Sequence, residues 1–215
     1  FACIRSNNIY LGFPVMYLAQ GDIGLHNSSV YLAVSTISFQ MFSILVGELV
    51  MSGKLSVQGA KTIAKRVLTN PLVVSCVCGI AAALIGPEKL PRVLDEPLKL
   101  MGNAATAVAL LALGGTLDLS RMGKVIKVMR STWGDSLIKL VLHPSLMLLF
   151  LTIFPVPRPL MQATVMLSSM PSAVNCFIVA REMGMDGDYA ADLVASTTLL
   201  GAVSIPLWAG ILGIV

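Results

Sequence analysis

The residues best placed to do chemistry are two asparagine–proline clusters, each inside an otherwise apolar run. The first reads Ser6-Asn7-Asn8-Ile9-Tyr10-Leu11-Gly12-Phe13-Pro14. The second reads Ser168-Ser169-Met170-Pro171-Ser172-Ala173-Val174-Asn175. Proline removes an N–H donor and clashes with the carbonyl four residues back, so each cluster predicts a broken helix. A break exposes N–H groups at the start of the next half-helix, where the dipole end is positive. Pro14 and Pro171 each suit the first position of such a half-helix. Asn8 and Asn175 add amide donors that could hold a carboxylate without burying a fixed charge. The expected chemistry is binding of a small organic anion, with Asn8, Pro14, Pro171 and Asn175 as the substrate site. Asn7 and Ser172 are secondary candidates. A kink that only shapes packing is the plainer reading of one cluster; two, in oppositely directed spans, favour a site.

Other polar residues inside apolar runs are weaker candidates. Asn103, before Thr106 and Gly114-Gly115, suits either an interhelical hydrogen bond or a place at the site. Lys139 lies close enough to the end of its run to snorkel; its other reading is a counter-charge or coupling group. Glu48 and Asp135 lie near span ends and read as interfacial. His26 and His143 are far apart. Cys3, Cys76, Cys78 and Cys176 sit in apolar segments, and no histidine lies near the Cys76–Cys78 pair. They read as small buried residues. No nucleophile–base arrangement, metal-ligand set or cofactor motif stands out, so no enzyme, metal or cofactor is expected.

The elements that position these residues must be membrane helices. Of 215 residues 56% are hydrophobic and 12% charged, and mean hydropathy is +0.84. A soluble domain carries roughly 25% charged residues, so too little charge remains to cover a water-facing surface. Seven apolar spans follow, at about 3–19, 29–51, 71–85, 98–117, 133–154, 160–180 and 193–215. The fifth carries a kink at His143-Pro144 and the seventh contains Pro206. Within hydrocarbon only helices or closed barrels satisfy the backbone. The short alternating segments of a barrel are absent. The reading is therefore an all-α polytopic membrane protein.

The charges set orientation. The net charge of +4 could suggest nucleic acid, but the basic residues sit in short loops. Lys54, Lys61, Lys65, Arg66, Arg121, Lys124, Lys127, Arg130, Arg181 and Arg5 fall on one side of seven alternating spans. Asp22, Glu88, Lys89, Arg92, Asp95, Glu96 and Arg158 fall on the other. The first side is expected to be cytoplasmic. Residues 61–68, basic and amphipathic, are expected to lie on that surface. The chain starts at Phe1 without an initiator Met or a signal-peptide pattern, as an N-terminally truncated chain would.

Several motifs in order resemble the auxin efflux carrier family. They are Asn8 to Pro14, Asn70-Pro71-Leu72, Pro97-Leu98-Lys99 leading to Gly114-Gly115-Thr116-Leu117, Lys139-Leu140 with His143-Pro144, and Met170 to Asn175. The family includes plant auxin carriers and bacterial malonate or malate permease-like proteins. The resemblance implies ten helices in two inverted five-helix repeats, with two broken helices crossing at the substrate site. On that template this chain is a single transmembrane domain lacking the first three helices. Residues 1–51 would end the first repeat, 52–70 form a cytoplasmic linker, and 71–215 form the second repeat. Spans one, two, five, six and seven would belong to a moving core and spans three and four to a scaffold, with elevator-like motion between them. The short linker is more like bacterial members, which implies a dicarboxylate and a bacterial inner membrane.

The implied function is a secondary carrier of small organic anions such as malonate, malate or auxin-like carboxylates. Its partners are that anion and the lipid bilayer, with no nucleic acid. Gly201, Ala202 and Ser204 could pack helices within one chain or between the copies of a homodimer. A sodium-coupled bile-acid-type symporter would need carboxylates inside the core, whereas the acidic residues lie mostly in loops. A seven-helix receptor or sensor would not need paired asparagine–proline breaks.

Overall fold

The computed structural model describes residues 5–52, 68–69, 71–86, 91–116, 125–173, 176–182 and 185–214. Among these residues there are helices and no strand, with one isolated antiparallel bridge between Ser6 and Ser172. The helices are α1 (Phe13–Ser52), α2 (Pro71–Ile85), α3 (Arg92–Thr116), α4 (Val125–Leu137), α5 (His143–Ile153), α6 (Arg158–Ser168), α7 (Cys176–Glu182) and α8 (Gly187–Leu212). A π turn at Asn8–Gly12 leads into α1, and another at Ile138–Leu142 joins α4 to α5. Residues 53–67 and 117–124, which carry most of the orienting basic charge, lie outside the described residues.

Helix α1 has 40 residues, about 60 Å at 1.5 Å per residue, or roughly twice the hydrocarbon thickness. It is divided at Gly21, whose φ of 59° and ψ of −140° are non-helical. Only glycine adopts this conformation without strain. The first two spans thus meet at one residue, where the sequence reading expects a loop over 20–28.

The chain forms two compact units, residues 1–28 with 105–215, and residues 29–104. The second span, the third and the first part of the fourth fall in the 29–104 unit. In the 29–104 unit, α2 is a short apolar helix of 15 residues. Helix α3 contains Pro97, and on its exposed surface Lys99 pairs with Asp95 at 2.6 Å, one turn apart. Asn103 lies on α3, and its side-chain surroundings are outside the described residues.

The unit of 1–28 and 105–215 is built with polar groups inward. Two of its helical stretches, Val128–Ile153 and Gly187–Leu212, are each 26 residues long and apolar enough to cross a bilayer. Along the first, Leu137, Ile138, Val141, Leu142, Leu146, Leu149 and Phe150 face outward, while Thr132, Ser136 and Lys139 are buried. Along the second, Leu199, Val203, Leu207 and Ile211 face outward, while Ser196 and Thr197 are buried. This inverts the soluble pattern and is what lipid as solvent selects. Thr132 Oγ1 donates to Ser196 Oγ at 2.8 Å, and Ser136 Oγ lies 3.3 Å from the same hydroxyl. These bonds join α4 to α8 where water is absent.

Helix α6 is the unit's axis, buried on every face from Gln162 to Ser168. Gln162 Nε2 donates to Leu212 O at 2.9 Å and Gln162 Oε1 accepts from Gln20 Nε2 at 3.0 Å. One amide thus ties α6 to the ends of α8 and of the first segment of α1. Proline geometry explains a second tie. Pro144 cannot donate to the carbonyl four residues back, Leu140 O. That carbonyl instead accepts the indole N–H of buried Trp208 at 2.8 Å. Gly213, in the left-handed conformation at φ 61°, caps α8 by donating to Gly210 O at 3.1 Å.

Candidate functional site

The two breaks meet. Backbone N–H of Asn7 donates to Pro171 O at 2.8 Å, and Ala173 N–H donates to Arg5 O at 2.9 Å. This short antiparallel crossing, centred on Ser6 and Ser172, supplies the partners that broken helices lose inside a membrane. Ser172 N–H turns the other way and donates to Thr197 Oγ1 on α8 at 3.1 Å. Ser6, Asn7, Asn8, Ser168, Ser169 and Ser172 are all buried.

Close packing makes the crossing compact. A Cβ on Gly201 of α8 would lie 2.7 Å from Pro171 Cγ. A Cβ on Gly12 would lie 2.4 Å from Leu167 Cδ2. Glycine at both positions lets the breaks approach α8 and α6. Gly201 packs α8 against the second break.

The two prolines do not occupy the places expected of them. Pro14 is the second residue of α1, after the π turn, so the helical path begins at Asn8 and not at Pro14. Pro14 thus sits within a helical path already running, and lacks the N–H that would face the Ile9 and Tyr10 carbonyls one turn back. Pro171 does not open a half-helix either. It lies in the non-helical stretch between α6 and α7, with its carbonyl taken by Asn7. Its N–H would have continued α6, so its absence ends that helix.

Lys139 is the residue whose placement differs most from the sequence reading. It does not snorkel to an interface: it is 0% exposed. Its Nζ donates to Ser6 Oγ at 2.6 Å and to Ser168 O at 2.9 Å, and lies 3.2 Å from His143 Nδ1. Ser6 Oγ also reaches Ser168 O at 3.3 Å. His143 Nδ1 lies 3.2 Å from Ser168 O as well, so it accepts from the ammonium or donates to that carbonyl according to its tautomer. Lys139 follows buried Thr132 and Ser136 by seven and three residues, so ordinary helical spacing puts all three on one inward face.

Two amide atoms at the crossing have no partner among the described residues, Asn7 Nδ2 and Asn8 Oδ1. Both residues are at least nine-tenths buried. Unpaired buried donors and acceptors are costly and mark places where a ligand or water completes the set. Asn7, Asn8, Pro171, Ser172 and Lys139 are therefore brought together, with Pro14 in the turn that follows. Asn175 lies outside the described residues, and Asn103 belongs to the other unit. Sequence reasoning missed Ser6, Ser168 and Thr197, and read His143 only as a kink. The spacing of Lys139 and His143, one helical turn apart, was the available signal. Among the described residues no group of acidic, histidine or cysteine side chains could hold a metal ion.

The family model described as "Membrane transport protein" matches residues 6–209. A protein of Rhizobium meliloti (strain 1021) named "Putative malonate transporter" is 33% identical over 151 residues, covering 66% of this chain and 44% of that protein. An "Uncharacterized transporter" of Methanothermobacter thermautotrophicus (strain Delta H) is 27% identical over 217 residues, 98% of this chain and 66% of its own length. "Auxin efflux carrier component 5" of Arabidopsis thaliana is 24% identical over 123 residues, 56% of this chain and 35% of that protein. The chain thus spans between about a third and two-thirds of the length of these relatives. No solved structure matches it.

Proposed function

We infer the function from one premise: the chain belongs to the membrane transport protein family. It is a transporter and not an enzyme, with a small-molecule substrate and the lipid bilayer as its surroundings. Beyond that class, the reading offered is a secondary carrier of small organic anions that binds its substrate at the crossing of the two breaks. Asn7, Asn8 and Ser172 line the site, Asn175 joins them from the second cluster, and Pro14 and Pro171 shape it.

The observation that carries this reading is buried Asn7 Nδ2 at the crossing, which has no partner among the described residues. Asn7 is the residue before the helical path that starts at Asn8 and its side chain makes no capping bond, so its N–H2 group is left beside a positive helix end. An incoming carboxylate supplies the acceptor this donor lacks, and charge-assisted bonds are the stronger kind. Rotating the Asn8 amide by 180° presents a second donor in place of its unpaired oxygen. Neutral donors suit a carrier because they bind an anion without a permanent charge that would hold it too tightly to release. The named malonate transporter among the relatives supports a dicarboxylate such as malonate or malate over an auxin-like acid. The membrane assigned is the bacterial inner membrane, and alternating access is assigned to an elevator-type movement of the site.

The test is uptake of labelled malonate, malate and indole acetate into proteoliposomes holding the full-length protein. Saturable uptake of a carboxylate is expected. Asn7→Ala and Asn175→Ala should each raise KM about tenfold or more, the worth of one charge-assisted bond. Removing an unpaired amide should leave the Asn7→Ala melting temperature unchanged or higher. Uptake insensitive to both substitutions would move the site elsewhere. No uptake of any carboxylate by folded protein would end the anion reading.

A further inference from the structure

We propose that Lys139 is a positioning residue that makes the crossing selective for anions, by neutralising the C-terminal end of α6 while fastening Ser6 to it. This rests on the reading of the crossing as an anion site.

Helix α6 ends at Ser168, facing the crossing. The last carbonyls of a helix carry its negative end, and that polarity works against an anion beside them. Most are satisfied within the chain. Ser168 Oγ donates to Val165 O at 2.7 Å, Ser169 Oγ to Met166 O at 2.8 Å, and Met170 N–H to Leu167 O at 3.3 Å. Ser168 O is the terminal carbonyl, and it receives the Lys139 ammonium at 2.9 Å. A buried cation at a helix C-terminus opposes the negative end directly. What remains facing the crossing is the positive start of the helical path at Asn8 and the amide of Asn7.

The same ammonium binds Ser6 Oγ at 2.6 Å. Ser6 is the residue paired with Ser172 across the breaks. Lys139 therefore holds the first break against the end of α6, next to the point where the second begins. The ammonium is engaged by Ser6 Oγ and Ser168 O, with His143 Nδ1 at 3.2 Å, so it acts on the site through these groups and its field. Among the described residues, the ionisable groups near it are His143 on its own span, and Arg5 and Cys176, which adjoin the two breaks.

A charge role and a merely structural bond differ in one readout, dependence on ligand charge. The experiment measures thermal stabilisation of the full-length protein in detergent by malonate (a dianion), monomethyl malonate (a monoanion) and malonamide (neutral). The parent, Lys139→Met and Lys139→Arg are compared. Lys139→Met should weaken malonate roughly tenfold or more, the monoanion less, and malonamide not at all. Lys139→Arg should keep the parent's order. Equal weakening of all three ligands in Lys139→Met overturns the proposal. If Lys139→Met does not fold, Lys139→Arg decides: the parent's order supports the proposal, and its loss in folded protein overturns it. A parent stabilised by no carboxylate overturns the anion reading and this inference together. A responsive parent with charge-independent losses overturns only the role of Lys139.

Discussion

The two breaks are near twins in sequence and opposites in structure. At the first, Asn7 and Asn8 precede Pro14 by about two turns, and the chain winds through a π turn into α1 with proline already inside the helix. At the second, Pro171 comes three residues after the last residue of α6, and the chain is non-helical from Met170 to Ala173. The helical path runs from Asn8 on through Pro14, so that proline does not interrupt the chain, while Pro171 withholds the donor that would have continued α6. The second break is thus made by its proline and the first is merely compatible with one. The difference extends to packing. The Pro171 ring lies against the backbone of Gly201 on α8, whereas the first break's Gly12 faces the tip of a leucine side chain.

That contrast is open to direct test, and the largest effect is expected at Gly201. The Cβ of Gly201→Ala would sit 2.7 Å from Pro171 Cγ, part of a ring fixed to the backbone. The second break would have to move, at a cost of about 1–3 kcal/mol, partly offset by the helix preference of alanine of up to about 1 kcal/mol. Gly12→Ala meets Leu167 Cδ2, the end of a side chain that can change rotamer. It should cost under about 1 kcal/mol and leave most uptake intact. Chemical denaturation with uptake assays on both variants reads the difference. Equal losses would remove the distinction between a rigid and a yielding neighbour.

A smaller effect is expected from Pro171→Ala. Alanine restores an N–H in a buried stretch, and that donor must either extend α6 toward Leu167 O or stay unpaired, at about 1–3 kcal/mol. Either outcome disturbs the carbonyl that accepts from Asn7 N–H at 2.8 Å. Uptake should fall by about tenfold, with a melting temperature a few degrees lower. Full activity in Pro171→Ala would mean that the crossing bonds alone hold the break open.

Much of this plan was legible in the sequence, for reasons that also mark where legibility stopped. Apolar runs and proline clusters are local signals, so the spans and both breaks could be read from residue order. The crossing of Asn7 with Pro171 was expected from the resemblance, while its register at Ser6 and Ser172 was not, because backbone pairing leaves no trace in residue type. Lys139 was read by its nearness to the end of its run, whereas its face, shared with Thr132 and Ser136, decides its burial. Gly12, Gly21 and Gly201 look alike in sequence. One packs on α6, one breaks α1 through its dihedral angles, and one lies under a proline ring. Trp208 was legible as an apolar residue only; its bond to the carbonyl freed by Pro144 depends on the two spans lying side by side.

The smallest effect should come from Pro14, which the sequence reading ranked with Pro171. Pro14 is buried and sits in the first turn of α1, where an alanine N–H would face back along the π turn. Asn7 O already accepts from Leu11 N–H at 3.3 Å and Gly12 N–H at 3.0 Å, so the start of this helical path is held by other residues. Pro14→Ala should therefore change stability by less than about 1 kcal/mol and KM by less than about threefold. The cost combines a lost ring contact with a gain in unfolded-state freedom. A loss as large as that of Pro171→Ala would mean that the first break, like the second, is made by its proline. The π turn at Asn8–Gly12 would then be a consequence of Pro14, not of the bonds that Asn7 makes.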